Sequence, residues 1–400
     1  MKKFTKLVAM LLSLSMLGAV AGCGEKAVDN EAAKDVKVGF IFLHDENSTY
    51  DKNFLDAAIA AKDALGLSDE QVLIKTNIPE TNECYEAAAD LVDAGCDLIF
   101  ADSFGHEDFI IQAAKEFPEV TFCHATGTKA HTENLDNFYN AFASIYEGRY
   151  LVGAAAGLKL NEMIADGKIT AEQAKIGYVG AYPYAEVKSG YTSFYLGAKS
   201  ICPTAVMDVK FTNSWFDIAA EKETANALMA DGCVLISQHA DSEGAPKACE
   251  EAGVPNIAYN LDTREWGPNT ALVSSKINWQ PYFEHIITAT INGTEIEQDF
   301  CKGLKDDVVQ ILGLNEKVAA QGTQEKLDEI KEKLIAGEIK VFDTKTFTVG
   351  GAELTTYKAD VDSDANFEKD TEVVADGYFH ESEYRSAPYF DVDIDGITIK

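Results

Sequence analysis

Short polar segments that follow apolar, strand-like runs carry the side chains best able to recognise a small molecule. They offer aromatic rings, carboxylates, histidines, one amide and one lysine. The candidates are Asp45, Phe54, His106, Asp108, Trp215, His239, Asp241, Asn260, Asp262 and Lys276. Stacking a planar base on an aromatic ring contributes about 1–3 kcal/mol, and carboxylates accept charge-assisted hydrogen bonds from hydroxyl groups. This set suits a base joined to a sugar, and it would also suit a hexose.

Each candidate also has an ordinary structural role open to it. Phe54 near a helix start could belong to a core, and His239 could be a buried, hydrogen-bonded histidine. Asp45 could cap a turn, and the helix dipole alone favours Asp108 in a first helical turn. Lys276 could be the partner of a structural ion pair. The residue types alone leave both roles open.

Signatures of catalysis are missing from the sequence. It holds no Gly-x-Ser-x-Gly elbow and no P-loop, and His124 and His131 do not have the helical spacing of a zinc site. The first strand-like run is followed by HDENSTYDKNF, not by the glycine-rich loop that a dinucleotide needs. We therefore predict a binding protein that is not an enzyme and that uses no cofactor and no metal.

Strand-like and helix-like segments alternate in two similar series. The first has the runs KVGFIFL, VLIK, DLIFAD and VTFCHA, and the second has KIGYVGA, AVMDVKF, CVLISQ and NIAYN. Measured from the first run of each series, the later runs begin after about 34, 60 and 82 residues and about 31, 57 and 80 residues. Amphipathic stretches separate them, which predicts parallel sheets covered by helices. The chain should form two doubly wound, Rossmann-like α/β lobes joined by a hinge.

The predicted lobes place the candidate residues in one cleft. In open α/β sheets, ligands bind beyond the carboxyl ends of the strands, and two facing lobes can close on a ligand by hinge motion. The small-residue run from Gly153 to Gly157, which lies between the two series, predicts a helix that packs very closely on a neighbour. The expected boundaries are lobe one at 37–145, lobe two at 146–275, a return to lobe one and hinge at 276–340, and a strand-rich C-terminal extension at 341–400.

The first residues predict export. Residues 1–22 have a lysine-rich start and a short apolar stretch, as in a signal peptide. The string VAGC resembles a lipobox, which implies cleavage before Cys23 and lipidation of its sulfur; an ordinary secretory peptide with an incidental cysteine is the alternative. The polar stretch 23–36 would tether the body to the outer face of the membrane.

The composition limits the classes of molecule that the protein can bind. The formal net charge of -32 argues against nucleic acid or anionic lipid as the partner, because both select surfaces rich in lysine and arginine. The 46% hydrophobic content over 400 residues is enough for two cores. Seven cysteines follow Cys23, and an odd set cannot pair completely.

Several strings together resemble one family. They are YDKNFLDAA, FGHEDFIIQAAKEFP, NAFASIYEGRYLVGAAAG, GYTSFYLGAK, NSWFDIAAEKE and SSKINW. They are similar to the basic membrane protein family of ABC-transporter substrate-binding lipoproteins, over roughly residues 36–340. The resemblance implies a type I periplasmic-binding-protein fold, a purine nucleoside as ligand, an ABC permease as partner and a monomeric state.

The resemblance also implies roles for individual residues. It implies that Asp45 and Phe54 are pocket residues, with the Phe54 ring stacked on the base, and that Asp108 binds the base edge. It points to Asp262, or Asn260 beside it, and to Lys276 for the ribose.

The chain departs from the family pattern at three places. The usual Gly-Asp-Lys-Ser-Phe-Asn stretch is replaced by Tyr50–Leu55, and a paired Asp motif is replaced by Asn260–Asp262. A glycine-rich segment that follows a strand of lobe two is replaced by Gln238–Asp241. These differences keep open a sugar or an autoinducer as the ligand. Delivery of the ligand to a signalling receptor, in place of a transporter, is also open.

Overall fold

The computed structural model describes residues 35–400. The predicted signal peptide, Cys23 and nearly all of the predicted tether lie outside the described residues. Within the described part of the chain, no helix combines the length and the apolar character needed to cross a membrane.

Lobe one is built on six parallel strands. They are Val38–Ile41 (β1), Val72–Lys75 (β2), Leu98–Ala101 (β3), Thr121–Ala125 (β4), Phe138–Ala143 (β5) and Asp299–Lys302 (β11), in the sheet order β11-β5-β4-β3-β1-β2. Its helices are Thr49–Leu65 (α1), Asn82–Asp93 (α2), Glu107–Glu116 (α3) and Ala130–Glu133 (α4), and Gln280–Asn292 (α9) packs against α1.

Lobe two is built on seven strands. They are Lys175–Gly180 (β6), Val206–Phe211 (β7), Leu235–His239 (β8), Asn256–Tyr259 (β9), Ala271–Ile277 (β10), Val309–Leu312 (β12) and Ile397–Ile399 (β17), in the order β12-β10-β9-β8-β6-β7-β17. Only β12 is antiparallel to its neighbour. The helices are Ile145–Ala165 (α5), Ala185–Ile201 (α6), Ile218–Ala230 (α7), Gly244–Ala252 (α8) and Thr323–Ile335 (α10).

Three passages of the chain join the two sheets. They run from β5 to β6, from β10 to β11 and from β11 to β12. The central strands β1, β3, β8 and β9 are buried along their whole length, which explains why β1 and β3 are continuous apolar runs and do not alternate. The prediction of two doubly wound α/β lobes is confirmed.

The first helix shows how local sequence sets an element that positions the site. Ser48 caps the start of α1 by accepting a hydrogen bond from the Asp51 amide at 3.3 Å. Gly66 ends the helix in the left-handed conformation, at φ 69°, which glycine adopts without a Cβ clash. The first turn of α1 therefore stands directly beyond β1, at the edge that faces lobe two.

The C-terminal segment, residues 341–400, contacts both lobes. Its strands are short: Lys358–Ala359 (β13), Thr371–Glu372 (β14), Val374–Ala375 (β15), Tyr378–Phe379 (β16) and β17. Strand β17 pairs with β7 at the edge of lobe two. On the side of lobe one, the Ser386 hydroxyl donates to the carboxylate of Asp299 at 2.8 Å.

Helices α5 and α6 pack with their backbones in close approach. A Cβ added to Gly153 would overlap the carbonyl oxygen of Phe194, and one added to Gly197 would overlap that of Tyr150. The close packing expected from the small residues of α5 is therefore present, with glycines contributed by both helices.

We expect Gly197→Ala to lower the free energy of unfolding by about 1–3 kcal/mol, because the added methyl group must push the two backbones apart. Urea unfolding followed by circular dichroism measures the change. Ala165→Ser, at an exposed position of α5, is the matched control and should change stability by no more than about 0.5 kcal/mol. An unchanged Gly197→Ala protein would contradict the close-packing explanation.

Candidate ligand-binding site

A cavity lies between the carboxyl ends of the two sheets. Its open space, including the part that is open to solvent, is about 350 Å³. Lobe one contributes Leu43, His44, Tyr50, Asp51, Ser103, Phe104 and Thr126, and lobe two contributes Glu186, Trp215, His239 and Asp241. Almost all of these residues directly follow a strand or begin the next helix.

The two lobes touch each other around this cavity. The Thr49 amide of lobe one donates to the Asp241 carbonyl of lobe two at 2.8 Å. The rings of Phe104 and Tyr184 lie 5.3 Å apart across the same boundary. The structure therefore shows the cleft in a closed arrangement.

Asp51 anchors the lobe-one wall. Its carboxylate accepts hydrogen bonds from the His44 amide at 2.7 Å and from the Ser48 hydroxyl at 2.6 Å. Burial alone would raise the pKa of Asp51, but the hydrogen bonds from His44 and Ser48 outweigh it and leave the pKa below its ordinary value. Asp51 is thus held as an anion at the cavity.

Asp102, at the end of β3, has the opposite electrostatic character. It is fully buried, and one oxygen accepts from the Leu43 amide at 3.1 Å. Burial, followed by the neighbouring Asp51, raises its pKa well above the ordinary value. One carboxylate of this pair therefore stays ionised while the other favours its protonated form.

Asp241 is the buried carboxylate of the lobe-two wall. Only 4% of the residue is exposed, and Asn260 donates to it over a long 3.5 Å. Burial raises its pKa well above the ordinary value, with Glu221, Asp51 and Glu186 adding to the shift. In its protonated form, the carboxyl group of Asp241 can both donate a hydrogen bond to a ligand and accept one from it.

Trp215 and His239 complete the wall of lobe two. Half-buried Trp215 is held edge-on to Tyr182, with ring centroids 5.0 Å apart, so part of its surface stays open to the cavity. The His239 ring lies 3.3 Å from a Glu186 oxygen and edge-on to Tyr259. The wall thus offers one aromatic surface next to a histidine and carboxylates.

A buried arginine supports this wall from behind. Arg149 of α5 is fully buried and donates to the Tyr178 hydroxyl at 2.8 Å and to the carbonyls of Ala258 and Gln238 at 3.2 Å each. Its guanidinium also lies 5.2 Å from the centre of the Tyr259 ring. Arg149 therefore joins the ends of β6, β8 and β9, from which the cavity residues of lobe two emerge.

The cavity is acidic. Asp51, Glu186 and Asp241 line it, and no lysine or arginine from residues 35–400 is among its lining residues. Negative charge repels phosphate and carboxylate groups at short range. The arrangement suits a ligand without a negative charge that offers several hydrogen-bond donors and one planar face.

Three of the candidates from sequence, Trp215, His239 and Asp241, line the cavity together. Asn260 lies directly behind them, where it donates to Asp241 and adopts a left-handed backbone conformation at φ 70°. The segments that follow β7, β8 and β9 therefore lie close together, as expected for parallel strands that end at the same edge of a sheet.

The structure places two of the lobe-one candidates inside the protein. The Phe54 ring is fully buried and stacks on Trp279 with ring centroids 4.5 Å apart, so it belongs to the core and not to the cavity surface. His106 is also fully buried, with a ring nitrogen 2.9 Å from the Ile78 carbonyl, and burial lowers its pKa to about 4.

The remaining four candidates also lie outside the cavity lining. Asp108 points to solvent beside Lys129, because the adjacent Glu107 takes the inward position. Asp45 accepts hydrogen bonds from the side chain and amide of its neighbour Asn47. Asp262 forms a bidentate pair with Arg264, and Lys276 lies partly buried on β10, where burial lowers its pKa.

Sequence reasoning missed every lobe-one residue that lines the cavity. The residues concerned are Leu43, His44, Tyr50, Asp51, Ser103, Phe104 and Thr126, together with Glu186 of lobe two. The expectation that ligands bind beyond the carboxyl ends of strands points to the same segments. Which of the adjacent side chains faces the cavity depends on how each helix is rotated about its axis, and the sequence alone does not show that rotation. One further signal appears only in the structure, where Thr126 has a left-handed backbone at φ 67°, which is unfavourable for a β-branched residue.

We expect Asp102→Asn to gain stability relative to the natural protein as pH rises from about 4 to about 7. Because its native pKa is raised, native Asp102 holds a proton that the unfolded chain releases, so natural stability falls as pH rises through this window. Urea unfolding across the pH range measures the difference.

Asp51→Asn is the matched control with the opposite sign. Its lowered pKa stabilises the native anion above the ordinary aspartate pKa, and this contribution is lost as pH falls. The variant should be less stable than the natural protein near neutral pH and approach it in acid. The same pH trend for both variants would contradict the assignment of the two protonation states.

Comparison with known proteins agrees with this geometry. The family model described as ABC transporter substrate-binding protein, PnrA-like (Bmp), matches residues 41–345. A purine-binding protein of Brucella abortus (strain 2308) is 31% identical over 330 residues, covering 82% of this chain and 86% of that protein. A Haloferax volcanii protein named as an ABC transporter glucose-binding protein is 30% identical, covering 63% and 60% of the two chains.

Among solved structures, an ABC transporter solute-binding protein of Aeropyrum pernix K1 has the same fold. The two structures superpose with a TM-score of 0.65 at 19% sequence identity, over 77% of this chain and 93% of that one. The two-lobed fold, the cavity between the lobes and the extent of the family match lead to one conclusion: the chain belongs to the Bmp family of ABC transporter substrate-binding proteins.

Proposed function

We propose that this protein captures a purine nucleoside outside the cytoplasm and delivers it to an ABC importer. The observation that carries the proposal is the closed cavity in which the Trp215 ring lies beside Asp51, Glu186 and Asp241, with no lysine or arginine in its lining. A nucleoside offers a planar base to the ring and hydroxyl and amide donors to the carboxylates. It lacks the phosphate that the acidic lining would repel.

Each lobe supplies part of the recognition. Asp51 and Phe104 come from lobe one, and Trp215 and Asp241 from lobe two, so a ligand between them contacts both walls. Such a ligand favours closure because its contacts are complete only when the lobes meet. Release to a permease would then require the lobes to separate.

The membrane attachment is part of the same proposal. Lipidation of Cys23 would hold the body on the extracytoplasmic face, where a monomer could pass ligand to the permease. The lipobox-like string VAGC and the family membership support this arrangement.

A sugar is the second candidate ligand. The Haloferax volcanii relative is named as a glucose-binding protein, and an aromatic ring beside carboxylates also suits the apolar face and hydroxyl groups of a hexose. A nucleoside is favoured here because the Brucella abortus relative, named as purine-binding, matches a larger share of the chain.

We expect isothermal titration calorimetry to show binding of purine nucleosides, with free bases, pentoses and hexoses much weaker. The full chain, purified in detergent and dialysed free of carried-over ligand, is titrated with each compound. Trp215→Ala should weaken nucleoside binding about 10-fold or more, because stacking contributes about 1–3 kcal/mol.

Phe367→Ala is the matched control, since Phe367 is a 54%-exposed aromatic outside the cavity. It should leave the affinity unchanged. Binding of hexoses alone would replace the nucleoside by a sugar, and equal effects of the two aromatic substitutions would contradict the role of Trp215.

A further inference from the structure

A second, partly open space lies beside the ligand cavity, and it measures about 670 Å³ when the part that is open to solvent is included. We call it the side chamber. Its lining residues are Phe104, Thr126 and Thr128 of lobe one, Pro183, Tyr184, Ala185 and Glu186 of lobe two, and Arg385, Ala387, Pro388 and Asp391 of the C-terminal segment. Phe104, Thr126 and Glu186 also line the ligand cavity, so the two spaces share a boundary.

The outer wall of the side chamber is supplied by residues 385–391, beyond the end of the family match at residue 345. This wall is attached to both lobes. Ser386 donates to Asp299 of lobe one through its amide at 3.0 Å and its hydroxyl at 2.8 Å, and Lys188 of lobe two lies 2.9 Å from Asp391. The wall is therefore a fixed part of the closed structure.

The open surface of the side chamber is mainly aromatic and aliphatic. Phe104 and Tyr184 face each other from opposite lobes, and 39% and 41% of their surfaces remain exposed. Pro183, Ala185 and Pro388 add apolar surface. Exposed aromatic surface gains free energy when an apolar group covers it.

The charged residues of the side chamber already have partners. Glu186 lies 3.3 Å from His239, Asp391 lies 2.9 Å from Lys188, and Arg385 donates to the Asp360 carbonyl at 2.9 Å. The polar groups at this wall are thus engaged within the protein, which leaves the apolar surface as the part of the side chamber that is free to contact an occupant.

We propose that the side chamber is a subsite for an apolar substituent carried by the ligand in the main cavity. This inference rests on the proposed function and extends it to a ligand class: purine nucleosides that carry an alkyl or aryl group. The parent nucleoside occupies the acidic cavity, and its substituent passes Phe104 and Thr126 to lie against the exposed surface of the two aromatic rings.

The test compares adenosine with adenosines that carry propyl or benzyl groups on the exocyclic amine or, in a second series, on a thioether at the ribose 5′ carbon. Calorimetry on the full chain should show at least one series gaining affinity with the size of the group, by about 10-fold for benzyl. Ala185→Trp, which fills the side chamber from a position outside the main cavity, should abolish that gain and leave adenosine binding unchanged.

Ala165→Trp, on an exposed position of α5, is the control for the bulky substitution and should keep the gain. If adenosine binds but neither series gains affinity, or if the gain survives in Ala185→Trp, the subsite is overturned while the proposed function stands. If no nucleoside binds, substituted or not, the proposed function fails and this inference fails with it.

Discussion

The structure of the binding wall depends on one buried cation, the guanidinium of Arg149. Burying a charge is costly unless hydrogen bonds offset the lost hydration, and here backbone carbonyls and hydroxyl groups at the ends of β6, β8 and β9 accept hydrogen bonds from the two terminal nitrogens. Those acceptors can meet one guanidinium only if the strands end at the same level. Trp215, His239 and Asp241 are presented from that aligned edge, so the alignment determines the shape of the lobe-two wall.

Carboxyl groups are concentrated where the lobes meet. Asp51 is kept ionised by hydrogen bonds, whereas burial and nearby carboxylates, Asp51 among them, favour the protonated form of Asp102 and Asp241. The ionised Asp51 accepts hydrogen bonds and disfavours an anion beside it, whereas the protonated carboxyl group of Asp241 can also donate a hydrogen bond to a ligand.

The C-terminal segment is integrated into the fold. Its Phe342 and Phe390 rings stack 4.3 Å apart within the main hydrophobic cluster, and β17 covers the outer edge of the lobe-two sheet beside β7. Covering an edge strand removes a site for unwanted pairing. The segment also contacts Asp299 of lobe one through Ser386. Residues beyond the end of the family match at residue 345 are therefore attached to a strand that lies within the match.

The sequence by itself determined the class of fold and the segments that form the site, because apolar strand runs and their polar exits are local patterns with fixed periods. It located Trp215, His239 and Asp241, which lie at the end of a strand or within four residues of one. It could not choose between neighbours on a helix, where each residue turns the side chain by about 100°. Only the tertiary structure placed Glu107 inward and Asp108 outward, turned Asp51 to the cavity and buried Phe54 against Trp279. Those choices depend on which surface each helix packs against, and that partner is distant in the chain.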